Sequence, residues 1–180
     1  MELVWLVDRA AGLVSYVVLY LAVLTGIFYN AERFGVLQDA ARRVHVEVSV
    51  LATLLLFGHA AVGLLDTWLV VDGQVPQPAY STTYLLAGVV VGAGGLTLIV
   101  VAILGFLDPR RFQRPWTPQV VHAFAYGGFA FATVHAAAVG TDVVGLVRPA
   151  LVAGSAFLVY VLALRLAIRL RVGGSAPSDA

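Results

Sequence analysis

Four histidines, His45, His59, His122 and His135, are the residues of this 180-residue chain best suited to hold a soft metal ion. The chain has no cysteine and its single methionine is Met1. Thiolate sites, iron–sulfur clusters, disulfides, covalent c-type haem attachment and thioether ligation are therefore excluded. His45 and His59 lie fourteen positions apart in the sequence, and His122 and His135 lie thirteen apart. At 1.5 Å of rise per residue, each pair spans about 20 Å of helix. On two helices running in the same direction, the histidines sort into two levels, each with one imidazole from each helix. Two facing imidazoles at one height suit the axial positions of a haem iron, whereas zinc or copper needs three or four ligands around one point.

The elements that must position these side chains are membrane helices. Apolar residues make up 61% of the chain and charged residues 12%, and the mean hydropathy is +0.93. An ordinary soluble domain is roughly 45–50% apolar and 25% charged, so a soluble globular fold is excluded. Charge-free apolar runs of about 20 residues, enough to cross a bilayer, recur along the chain. They predict five spans: between Arg9 and Glu32, between Arg43 and Asp66, and over residues 83–107, 118–139 and 149–168. The first is not a secretory signal, because Glu2 and Asp8 precede it and no small-residue cleavage site follows. The net charge of +1 without a basic run excludes nucleic-acid binding.

Arginine placement orients the spans, since short cytoplasmic loops carry the positive excess. Arg33, Arg42 and Arg43 fall in the first loop, Arg110, Arg111 and Arg114 in the third, and Arg165, Arg169 and Arg171 at the C-terminal end. Those segments are expected inside. The loops with Asp72 and with Asp142 and Arg148 are expected outside, together with the N-terminus. The expected fold is thus an all-α bundle of five transmembrane helices in the cell membrane, N-terminus out and C-terminus in. Two haems would be stacked between helices 2 and 4. Residues 1–172 form the membrane domain, and the tail 173–180 (GGSAPSDA) reads as disordered.

Helices 2 and 4 run from inside to outside, so His45 and His122 form an inner level and His59 and His135 an outer one. Fourteen steps of 100° bring His59 within about 40° of His45, but thirteen leave His135 about 140° from His122. A bulge or kink at Gly127–Gly128 is therefore required if helix 4 is to face both rings the same way. An internal echo links the halves: His59-Ala-Ala-Val-Gly leads to Asp66, and His135-Ala-Ala-Ala-Val-Gly leads to Asp142.

The two histidine pairs, with one helix between them and with Arg114 and Trp116 ahead of His122, resemble the ferric reductase-like transmembrane domain family. That family includes NADPH oxidases, metalloreductases and the membrane subunit of the periplasmic methionine sulfoxide reductase system. The resemblance covers about residues 10–170. It implies two haem b groups, with iron held by His45 and His122 at the inner level and by His59 and His135 at the outer. Common family members have six helices and often a fused flavin and nicotinamide domain, and neither is found in these 180 residues.

Arg42, Arg43 and Arg114 are candidates to bind the anionic propionates, with Arg148 the candidate on the outer side. Trp116 belongs at the interface. Glu47, two residues from His45, is either a proton-handling neighbour or an interfacial carboxylate. Gly92, Gly94 and Gly95 allow close approach of helices or of a macrocycle. With two axial histidines the task is outer-sphere electron transfer. Electrons would come from a separate cytoplasmic flavoprotein reductase or from quinol. They would pass to a partner subunit or an extracytoplasmic acceptor. The alternatives are a haem-bearing anchor of a quinone-linked respiratory complex and a haem-free membrane scaffold.

Overall fold

The computed structural model describes residues 2–29, 36–74, 82–107, 117–139 and 147–173. They form five helices: α1 (Glu2–Tyr29), α2 (Val36–Val71), α3 (Thr82–Leu107), α4 (Thr117–Val139) and α5 (Val147–Gly173). The first two helices outrun the charge-free runs that predict them. α1 takes in Asp8 and Arg9, and α2 takes in Arg42, Arg43 and Asp66. Charged residues end the apolar stretch without ending the hydrogen-bonded ladder. At 36 residues α2 is about 54 Å long, well beyond a hydrocarbon core of about 30 Å. It stops at Gly73, whose φ of 75° suits glycine. There Gln74 N–H donates to Leu69 O (3.0 Å) and Gly73 N–H to Val70 O (3.2 Å), a Schellman closure that satisfies the last carbonyls.

The chain packs as two antiparallel hairpins, α1 on α2 and α3 on α4, with α5 attached more lightly. In the second hairpin the backbones approach closely at Gly95 and Gly128. A Cβ built on Gly128 would lie 3.0 Å from the carbonyl oxygen of Gly95 and 2.5 Å from Ile99 Cγ1. α4 is α-helical from Thr117 to Val139, including Gly127 and Gly128. A π-bulge is therefore not how α4 meets the geometry. Its glycines serve contact with α3 instead.

A small core joins the hairpins: Leu19, Val23 and Ile27 of α1, Ala52 of α2, Ile99 of α3, Phe129 of α4 and Leu158 of α5. Tyr16 stacks on Phe129 with centroids 5.6 Å apart, and its hydroxyl lies 3.2 Å from both Thr133 Oγ1 and Ser155 Oγ. One tyrosine thus ties α1 to α4 and α5. The outer surface is strongly apolar, with Val90, Leu54, Val159 and Val134 all more than half exposed. A surface of that kind belongs in lipid, where such side chains meet no penalty. Among the described residues four stretches are long and apolar enough to cross a membrane: Leu3–Phe28, Gln38–Val71, Leu85–Gly105 and Val147–Leu164. α4, which carries two of the histidines, is not one of them.

Candidate functional site

Each of three histidines is seated on the neighbouring helix of its own hairpin by the same device. His45 Nδ1 donates to the carbonyl of Ala22 (2.8 Å), His59 Nδ1 to that of Asp8 (3.2 Å) and His135 Nδ1 to that of Gly88 (2.9 Å). A carbonyl can only accept, so Nδ1 carries the proton and, in a neutral ring, Nε2 carries the free lone pair. Four residues after each of these carbonyls stands a glycine in contact with the same ring. A Cβ on Gly26 would lie 2.9 Å from His45 Cε1, one on Gly12 would lie 2.9 Å from His59 Cε1, and one on Gly92 would lie 3.3 Å from His135 Cε1.

The repeated offset has a physical reason. In a helix the carbonyl of residue i accepts the N–H of residue i+4, which here is the glycine. The second lone pair of that carbonyl is more open to a ring from the neighbouring helix where residue i+4 has no Cβ beside it.

Between the hairpins the rings meet in pairs. His45 and His122 have centroids 6.0 Å apart with planes at 78°, and His59 and His135 are 6.1 Å apart at 65°. At the outer pair both rings carry a proton on Nδ1, so when both are neutral their Nε2 atoms are acceptors and do not bond to each other.

The outer level also gathers acids. Asp8 Oδ1 lies 3.0 Å from His59 Nδ1, and Gly63 leaves room for that carboxylate. Asp66 is buried at 8% exposure and interacts electrostatically with Asp8 and Arg9. Arg9 in turn sits 4.1 Å over the Trp5 ring. Sequence reasoning placed Asp8 ahead of the first span and so missed it. The signal that would have found the seats is the separation of Gly12 from Gly26, which copies that of His45 from His59. At the inner level Thr25 Oγ1 lies 3.5 Å from His45 Nδ1, and Tyr126 packs edge-on against His122 at 5.6 Å.

The remaining candidates fall elsewhere. Arg42, Arg43, Glu47 and Arg148 are exposed. Arg114 and Trp116 lie outside the described residues, as do Arg33, Arg110, Arg111, Asp142 and the tail after Gly173.

The expectation of two haem b groups is corrected by the structure. Among the described residues no group of three or more His, Cys, Asp or Glu side chains comes together that could hold a metal ion. Each level brings two imidazoles, and the nearest acid, Asp8, is engaged at His59 Nδ1 and adds no further ligand to a shared centre. The four histidines stand as two cross-hairpin imidazole pairs, with His45, His59 and His135 each braced from its own hairpin.

Two helical hairpins enclosing paired imidazoles, with helices long and apolar enough to cross a bilayer, have the build of an all-helical membrane protein. The chain belongs to the family described as Domain of unknown function (DUF8596), whose model matches residues 3–142. The match takes in both hairpins and all four histidines and leaves α5 outside. No curated protein and no solved structure matches the chain.

Proposed function

We propose that the chain is an electron-transfer subunit of the cell membrane, related to the ferric reductase-like transmembrane domains, with the two imidazole pairs lining the space between its hairpins. The observation that carries this reading is the meeting of His45 with His122 and of His59 with His135 at two separate levels. At 1.5 Å per residue the levels are about 20 Å apart, most of the hydrocarbon thickness. In this reading α4 is a fifth span, held between the other helices with its histidines turned inward. The N-terminus is outside and the C-terminus inside, a reading that the arginine distribution supports. Electrons enter from a cytoplasmic flavoprotein reductase or from quinol and leave to an acceptor or partner subunit on the opposite face.

A second reading is favoured by a specific observation. Three histidines already bond backbone carbonyls of a neighbouring helix, which is what a purely structural membrane scaffold would use them for.

The two readings separate in one experiment, the reduced-minus-oxidised absorbance spectrum of the chain purified in mild detergent from its own membrane. Electron transfer requires a reversible redox-linked absorbance change in the purified subunit. A chain that is folded, stable and optically silent to reductant overturns electron transfer and leaves the scaffold.

A further inference from the structure

Among the described residues Asp66 is the one charged side chain that is buried, with 8% of its surface exposed. It lies in Gln38–Val71, a stretch long and apolar enough to cross a membrane, and makes no hydrogen bond among the described residues. An ionisable group so placed is a functional candidate by default. Neither the imidazole pairs nor the seats account for it.

Its surroundings say what it can act on. His59, Gly63 and Asp66 stand at i, i+4 and i+7, on one face of α2. Asp8 of α1 lies against that face: its Oδ1 is 3.0 Å from His59 Nδ1 and would be 3.1 Å from a Cβ on Gly63. The Asp8 carboxylate therefore stands between His59 and the turn that carries Asp66. From α1, Asp8 and Arg9 are the charged groups that act on Asp66. From α4, the titratable group at this level is His135, which meets His59. Asp66 is five residues short of Val71, the end of α2, or about 7 Å, whereas His59 is about 10 Å deeper.

We propose that Asp66 is a proton-binding site of the outer level, whose charge reaches His59 through Asp8. When its O–H bond breaks, the proton passes to water through the narrow opening that Asp66 keeps, and a negative charge is left facing the Asp8 carboxylate. Between buried groups such a charge is weakly screened. The two carboxylates repel, Arg9 offsets part of the repulsion, and the contact of Asp8 Oδ1 with His59 Nδ1 changes. The inner level has no such input. His45 Nδ1 meets the Ala22 carbonyl and the Thr25 hydroxyl, neither of which titrates, and Glu47 is exposed. The outer imidazole pair thus answers to the proton supply at its own end of the bundle, and the inner pair does not. The inference does not depend on electron transfer.

The test is solid-state NMR on the full chain in lipid bilayers across a pH series, with 15N in the histidine rings and 13C in the aspartate side-chain carboxyls. The Asp66 and His59 signals are identified by their absence in Asp66→Asn and His59→Gln. The proposal requires the Asp66 carboxyl and His59 Nδ1 to move with one common midpoint, at which the His45 ring signals stay in place. That step at His59 should be lost in Asp66→Asn, regained in Asp66→Glu and kept in Asp72→Asn, whose target is exposed at the end of the same helix. A His59 that is still at the Asp66 midpoint, a His45 that moves there as well, or a step that survives in Asp66→Asn overturns the proposal. The common midpoint is read on the unaltered chain, so it decides the matter even if Asp66→Asn does not fold.

Discussion

Gly12→Ala adds one methyl group to the surface of α1, and its cost can be worked from the contacts of His59. The new Cβ would sit 2.9 Å from His59 Cε1 and 3.2 Å from both ring nitrogens. Relaxed carbon contacts lie at about 3.5–4.0 Å, so the ring must retreat by about 0.6–1 Å. It is a rigid plane whose Nδ1 already stands 3.2 Å from the Asp8 carbonyl. A retreat of that size carries the bond past the range of useful hydrogen-bond geometry. Overpacking costs about 1–3 kcal/mol, and the lost bond adds about 1 kcal/mol. The better helix propensity of alanine offsets about 1 kcal/mol. The net loss is about 1–3 kcal/mol.

Gly58→Ala is the matched control on α2. A Cβ there meets nothing within 4 Å, so only the propensity gain of about 0.5–1 kcal/mol remains. Reversible unfolding of both variants in the same detergent should place Gly12→Ala below the parent chain and Gly58→Ala at or above it. Equal stabilities would refute the seat.

The same contacts predict other outcomes. Gly128→Ala meets the Gly95 carbonyl at 3.0 Å and Ile99 Cγ1 at 2.5 Å, whereas Gly127→Ala meets only the flexible end of Leu98 at 3.3 Å. Thermal unfolding should show the first losing about 1–3 kcal/mol and the second under about 1 kcal/mol. Tyr16→Phe keeps the stack on Phe129 but loses the hydroxyl shared with Thr133 and Ser155. Its expected loss is about 0.6–1 kcal/mol, the scale of polar contacts between membrane helices. Leu158, 2% exposed, anchors the lightly held α5. Leu158→Ala should cost about 2–5 kcal/mol in unfolding measurements and make α5 the first helix cut in limited proteolysis.

The helices were legible because their apolar runs are long, and the two levels because histidines at nearly equal intervals on same-direction helices have few other places to go. What stayed hidden depended on partners across the hairpins. Asp8 reads as an exposed acid near the N-terminus until α1 is extended over it, and only antiparallel pairing brings it to His59. Gly127 and Gly128 read as a break because glycine is read locally, yet their use is the approach to Gly95 and Ile99. The haem expectation came from counting two imidazoles per level, and the side chains around them add no third metal-binding group among the described residues.

The unequal spacings of the two histidine pairs place α2 and α4 out of step by one position, or about 1.5 Å over the distance between levels. If that mismatch were taken up at one level, one pair would be wide and the other tight. The centroid separations are instead 6.0 and 6.1 Å, so neither level takes up the difference alone. The seats explain how that is possible. On α1 and α2 each ring is fixed against its own hairpin at the interval that Gly12 and Gly26 share with His45 and His59, and Gly92 fixes His135 within the other. The hairpins can therefore adjust as units without releasing these three rings. A site built by two separately ruled hairpins needs only their mutual height to be set, which the Tyr16 bridge and the Phe129 stack do from the middle of the bundle.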